Sequence, residues 1–185
     1  VQVCPVEAIV LADAQDGFGI GVPHIEARTQ ACDFSCDALQ CILACPTGAL
    51  SHELSKPEQV EMGFARLVPE RQETCLARQG RGFKGVARAH GLHRYAAIDR
   101  WTPVPIAKHP YDLALCDLCV RECPIKGAIS LEPLGSDPSD QRRTPVIHDN
   151  CVGCGMCEMI CPVEPEAPLV IDSRRRPSVA KQGGA

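Results

Sequence analysis

Four cysteines between Cys151 and Cys161, closed by Pro162, constrain this chain more than any other feature. They read C-x2-C-x2-C-x3-C-P. Three thiols two residues apart let a short loop wrap one [4Fe–4S] cubane, and the displaced fourth reaches a neighbouring one. Gly153 and Gly155 supply the positive-φ turns such wrapping needs. Pro162 donates no hydrogen bond and suits a first helical turn, so it ends the loop. Zinc sites more often take paired C-x2-C hooks from two separate places. A disulfide framework fits poorly with 13 cysteines, an odd number.

The same pattern recurs along the 185 residues. Cys32, Cys36, Cys41 and Cys45 form a looser run, C-x3-C-x4-C-x3-C-P, ending in CPTGAL. Cys116, Cys119 and Cys123, with Pro124, give the last three quarters of another, and Leu113 stands where its first cysteine would be. Cys75 is the remaining cysteine able to complete that set. Cys4-Pro5 reads as the end of a fourth run whose first three cysteines are expected upstream of Val1, itself not an initiator methionine. The fourth cysteines fall at 4, 45, 123 and 161, separated by 41, 78 and 38 residues. The middle gap is one repeat too long, and its surplus lies between Cys75 and Cys116. Four complete runs need 16 cysteines, and losing three leaves the 13 present. With 7 aromatic residues (one Trp, two Tyr, four Phe), the core must be filled by something other than rings, and clusters would serve.

Between the runs the chain reads as short elements. Ile9–Ala12 and Gly19–Ala27 flank Gln15-Asp-Gly17 as a β-hairpin. Ser55 to Ala65 reads as a short helix, with Ser55 as N-cap and Glu58 three residues on. Ala128–Leu131 and Pro145–His148 form another hairpin around a polar loop, and Leu169–Asp172 a last strand. The insertion 76–115 holds Arg78, Arg81, Lys84, Arg88, Arg94, Arg100 and Lys108 against Asp99 and Asp112, hence net +5 in a chain of net −4. Arg81, Lys84 and Arg88 fit one helical face. His90 and His93 read as solvated. Trp101–Pro105 and Lys108–Pro110 read as extended coil held by prolines. The arginine-rich tail, 174–185, is expected to be disordered, leaving 1–173 as one multi-cluster domain.

The four runs, the CPTGAL ending, the E-x-M-G-x-A segment from Glu61 to Ala65 and the E-T-C of Glu73 to Cys75 together resemble the NapG/MauM ferredoxin-type proteins of periplasmic nitrate reductase and methylamine utilisation systems. The resemblance covers most of the chain except 76–115, where such proteins have a shorter link. It implies an α+β fold of tandem ferredoxin-like [4Fe–4S] modules with short helices and small antiparallel hairpins. It also implies an exported, membrane-associated periplasmic protein that takes electrons from a quinol-oxidising membrane partner, with a cytoplasmic location as the alternative. The export signal would lie outside this sequence. By analogy with four-run subunits the outer runs pair, as do the inner ones. Cys4 would then join Cys151, Cys154 and Cys157; Cys123 would join Cys32, Cys36 and Cys41; Cys45 would join Cys75, Cys116 and Cys119, leaving Cys161 over. Pairing adjacent runs is the alternative, and it leaves Cys45 over. Either way three complete sites are expected here and four in a full-length chain.

These features point to an electron carrier or an oxidoreductase subunit more than to an enzyme on its own. No serine, histidine and aspartate constellation and no glycine-rich nucleotide loop is visible, so no catalytic residue is assigned. The radical S-adenosylmethionine run C-x3-C-x2-C is absent. Nothing in the mild charge points to nucleic acid, and no apolar run reaches the roughly 20 residues of a transmembrane helix. The competing readings are the iron–sulfur subunit of a molybdoenzyme, a maturation or regulatory module with structural clusters, and a zinc-binding interaction module.

Overall fold

The computed structural model describes residues 2–17, 19–36, 39–87, 93–96, 99–105 and 111–174, with 93–96 and 99–105 described by their backbone. Its elements run β1 (Val10–Leu11), β2 (Pro23–His24), α1 (Gln40–Leu43), β3 (Phe64–Leu67), β4 (Phe83–Gly85), β5 (His93–Ala96), β6 (Asp99–Pro105), β7 (Tyr111–Leu113), α2 (Leu118–Arg121), β8 (Ile129–Pro133), β9 (Arg143–Ile147), α3 (Met156–Met159) and β10 (Leu169–Asp172). The strands pair antiparallel as five two-stranded ribbons: β1–β2, β3–β10, β4–β7, β5–β6 and β8–β9.

The three helices repeat one design. Each begins one residue before the third cysteine of its run and ends two residues after it, around Cys41, Cys119 and Cys157. Each stops after four residues because a Cys-Pro pair follows. The ring of Pro46, Pro124 or Pro162 disfavours the α region for the cysteine before it. The fourth cysteine is thereby turned out of the helix that carries the third. Gly155 opens α3 with φ +89°. The looser second run has no glycine there, and Leu39 takes φ 51° instead.

β3 pairs with β10 from Phe64↔Asp172 to Leu67↔Leu169, so residues 64–172 close on themselves. The core inside is aliphatic and small. Val152, Met156 and Met159 pack with Ala31, Ile125 and Ala128 on one side, and Ala65, Ile129 and Leu169 gather around Cys157 on the other. Leu118 and Ile160 form a third group with Ala87, flanked by Phe83, Tyr111 and Leu113. The N-terminal hairpin, the 129–147 hairpin and the last strand fall where the sequence placed them.

Three expectations are corrected. Ser55 to Ala65 is not a helix: one 3-10 turn spans Pro57–Gln59, and Phe64 and Ala65 already belong to β3. The Gln59 carboxamide oxygen accepts the Ser55 and Lys56 N–H groups, both at 2.9 Å, so the cap is made by Gln59 and not by Glu58. Arg81 and Lys84 share no helical face, because Lys84 lies in β4. Gly80, Gly82 and Gly85 make this stretch a poor helix, and a Cβ at Gly82 would run into the Leu113 and Ala114 backbone. Trp101–Pro105 is strand, paired with β5, and not coil. Arg88, His90, Lys108 and the tail from 175 lie outside the described residues, and nothing is described of the His93 side chain.

Candidate iron–sulfur sites

Two apolar cavities are each lined by four cysteines drawn from two different runs. Cys123, Cys151, Cys154 and Cys157 line the first, with Ala65, Ile125, Ile129 and Ile171. Cys75, Cys116, Cys119 and Cys161 line the second, with Leu76, Leu118, Pro162 and Leu169. A third group lies in the N-terminal part, where Cys4, Cys32, Cys36 and Cys41 stand close enough for their charges to act on one another. The nested arrangement expected by analogy is therefore not the one adopted. Cys123 sits with Cys151, Cys154 and Cys157, Cys4 sits with Cys32 and Cys41, and Cys161 is not left over. Cys45 is the cysteine that stands apart.

Cys75 enters its cavity from 41 positions before Cys116. The chain leaves along β4 and returns along β7, whose antiparallel pairing brings Cys116 back. The Cys116 N–H donates to the Arg81 carbonyl at 3.0 Å, and the Arg143 N–H donates to that of Ala77 at 2.8 Å. Insertion 76–115 is thus an excursion from one cavity back to the same cavity.

Burial pushes the Cys32 and Cys154 thiols up to about 12 and Cys161 to about 11, and raises Cys41, Cys116, Cys119, Cys123 and Cys157 as well. At neutral pH these thiols are protonated until iron displaces the proton. Backbone hydrogen bonds two residues further on pull the other way: Phe34 for Cys32, Leu118 for Cys116, Met156 for Cys154 and Val163 for Cys161. The repeated loop geometry thus offers main-chain donors to sulfur. Cys45 differs, being drawn down to about 7 by Thr47, whose hydroxyl lies 3.5 Å away, and by backbone groups of Leu50 and Thr47.

Soft thiolates around a dry cavity suit an iron–sulfur cubane. Among the described residues no three of His, Cys, Asp and Glu converge on a point that could hold a single metal ion. Zinc, with sulfurs about 2.3 Å from the metal, requires that convergence. The thiols instead line two apolar cavities, four to each.

The description "4Fe-4S dicluster domain" matches residues 114–164, the stretch that carries seven of the eight cysteines of both cavities. The ferredoxin-type protein NapG of Escherichia coli K12 is 33% identical over 175 residues, covering 92% of this chain and 60% of that protein. The methylamine utilization ferredoxin-type protein MauM of Paracoccus denitrificans is 35% identical over 165 residues, covering 87% and 56%. This chain is a relative of the NapG and MauM ferredoxin-type proteins. It spans 50% of NapG from Haemophilus influenzae, at 31% identity, so it represents about half the length of these curated relatives. No solved structure matches it. The NapG/MauM relationship carries the iron–sulfur chemistry read from the runs.

Proposed function

We propose that this chain carries electrons between redox proteins through three [4Fe–4S] clusters. Their ligands are Cys123, Cys151, Cys154 and Cys157 for one; Cys75, Cys116, Cys119 and Cys161 for a second; and Cys4, Cys32, Cys36 and Cys41 for a third. A cluster bound there takes up and gives back one electron. The observation that carries the reading is the adjacency of the three cysteine groups. Cys119 packs beside Cys157 in the aliphatic core, and so joins the first two groups. The Cys32 N–H donates to the Cys154 carbonyl at 3.1 Å, and so joins the third to the first. The chain's own work is to hold these groups in series, exclude water with Val152, Met156 and Ile160, and tune potentials through main-chain donors, within the roughly −700 to +450 mV open to such clusters. Residues 1–173 act as one unit, and Cys45 serves a fourth cluster in the longer protein.

Anaerobic purification should return about twelve iron and twelve sulfide per chain, with low-temperature EPR signals from interacting clusters. Zinc without sulfide would sink the reading. The role of Cys75 has its own check. Cys75→Ala should lose or convert one cluster, about four iron, while the others persist, and an unchanged iron count and spectrum would remove Cys75 from the ligand set.

The family relationship supports a membrane quinol-oxidising donor and a periplasmic place of work. Among the described residues no helix is long and apolar enough to cross a membrane. The basic insertion is the candidate docking face, since the rest of the chain is net −9 (−4 minus +5). Arg81 and Lys84 are exposed. Lys84 is already paired with Asp112 at 2.7 Å, an exposed pair of little energetic weight. Arg81→Gln with Lys84→Gln should slow reoxidation by the partner and flatten its salt dependence, because complementary charge raises on-rates and salt screens it. An unaltered rate and salt slope would leave the face merely solvated.

A further inference from the structure

We infer that Arg28 is a positioning residue for the site of Cys75, Cys116, Cys119 and Cys161. It fixes the Cys161 loop and keeps a positive charge beside that site, so the cluster there is easier to reduce. The inference deepens the electron-transfer reading and rests on it.

Arg28 reaches across more than a hundred residues of sequence to the end of α3. Its guanidinium donates to the carbonyls of Glu158 at 2.7 Å, Cys161 at 2.9 Å and Val163 at 2.5 Å. A helix leaves its last carbonyls without partners, and the backbone beyond Met159 is turned away by Cys161-Pro162. One planar fork reaches three carbonyls at and beyond this helix end, where lysine would offer a single flexible ammonium. The side chain is 17% exposed. Its backbone is held in place by the strap from Ala27 to Cys32. The Ala31 N–H lies 3.1 Å from the Met159 sulfur, and a Cβ on Gly155 would sit 2.6 Å from that of Ala27. The strap therefore cannot drift from α3 without breaking the contacts that seat Cys32 against Cys154.

The charge follows from the same placement. Reduction adds an electron to a group already surrounded by four thiolates, and a half-buried cation nearby stabilises the added charge more than water would. Two carboxylates oppose it: Glu164, at 3.6 Å, whose side chain is 54% exposed and screened, and Glu158, whose carboxylate is already held by the Ile171 N–H at 2.8 Å. Two of the three hydrogen bonds go to Cys161 and Val163, so the effect falls mainly on the Cys161 site; the third, to Glu158, lies next to Cys157 of the neighbouring site.

The test uses the whole chain, purified anaerobically, as Arg28→Gln and Arg28→Lys. Cys161→Ala marks which EPR signal belongs to the site. In a redox titration the marked signal of Arg28→Gln should shift to a more negative midpoint while the other signals stay, with Arg28→Lys between it and the parent. Loss of the marked signal alone in Arg28→Gln, with retention in Arg28→Lys, supports the positioning role equally. Unmoved midpoints in a protein with full iron and sulfide overturn the inference alone. Midpoints that all move together, or loss of every signal from both variants, overturn it as well. A parent protein without iron and sulfide overturns the electron-transfer reading and this inference with it.

Discussion

Cys123→Ala is expected to remove the same cluster as Cys154→Ala, although a hairpin and 31 residues separate the two positions. Both thiols line one cavity, and a cubane that loses a ligand is lost or converted as a unit. Each variant should therefore lack about four iron and the same EPR signal. The double variant should be no worse than either single one, because the two substitutions act on one object and are not additive. Cys116→Ala and Cys161→Ala should form a second matched pair with a different missing signal. A nested arrangement predicts otherwise: Cys123→Ala would then match Cys36→Ala, and the double variant with Cys154 would lack about eight iron. Iron counts on Cys123→Ala, Cys154→Ala and their double variant separate the two outcomes.

Gly153→Ala should be strongly destabilising for a single added methyl. Gly153 has φ +73°, and its Cβ would sit 2.5 Å from the Gly63 N and C atoms and 2.6 Å from its carbonyl oxygen. Those are backbone atoms of the approach to β3, tied in turn by the Met62 N–H, which donates to the Val152 carbonyl at 2.9 Å. Neither side can yield without opening the core around Val152. The left-handed conformation alone costs about 1–3 kcal/mol, and displaced backbone adds to it, for roughly 3 kcal/mol or more. For a chain of this size that lowers an anaerobic thermal midpoint by roughly 6–12 °C. Gly127→Ala is the control, with φ +72° but a Cβ no nearer than 4.0 Å to the Asn150 side chain. Equal losses at both glycines would refute the claim that backbone approach, and not strain alone, protects Gly153.

What could be read in the sequence was local. The cysteine runs, the hairpin over 129–147 and the strand Leu169–Asp172 are each set by a few neighbouring residues, and the structure returns them at the expected places. The partnership of runs was not legible. Every run has the same spacing logic, so the choice between Cys123 with Cys151 and Cys123 with Cys32 depends on how β8–β9 folds the chain back. The supposed basic helix failed for a different reason. Periodicity put Arg81, Lys84 and Arg88 on one face, but it carries no information about the close backbone approach at Gly82 that makes Phe83–Gly85 a strand. Arg28 was invisible because an arginine between runs has no motif. Its meaning comes from three carbonyls in another run.

The pairing of β3 with β10 also orders events during synthesis. Leu67 must wait for Leu169, 102 residues later, before its ladder can form. All thirteen cysteines have been made by residue 161, ahead of that strand. Until then β3 presents an unpaired edge, the kind of surface that recruits other chains. A ribosome pause or a premature stop before Leu169 would leave both cavities with all their thiols but without the strand that shuts them. The last strand thus works as a latch that closes only after every ligand of both sites exists, and truncated chains are the ones that should aggregate.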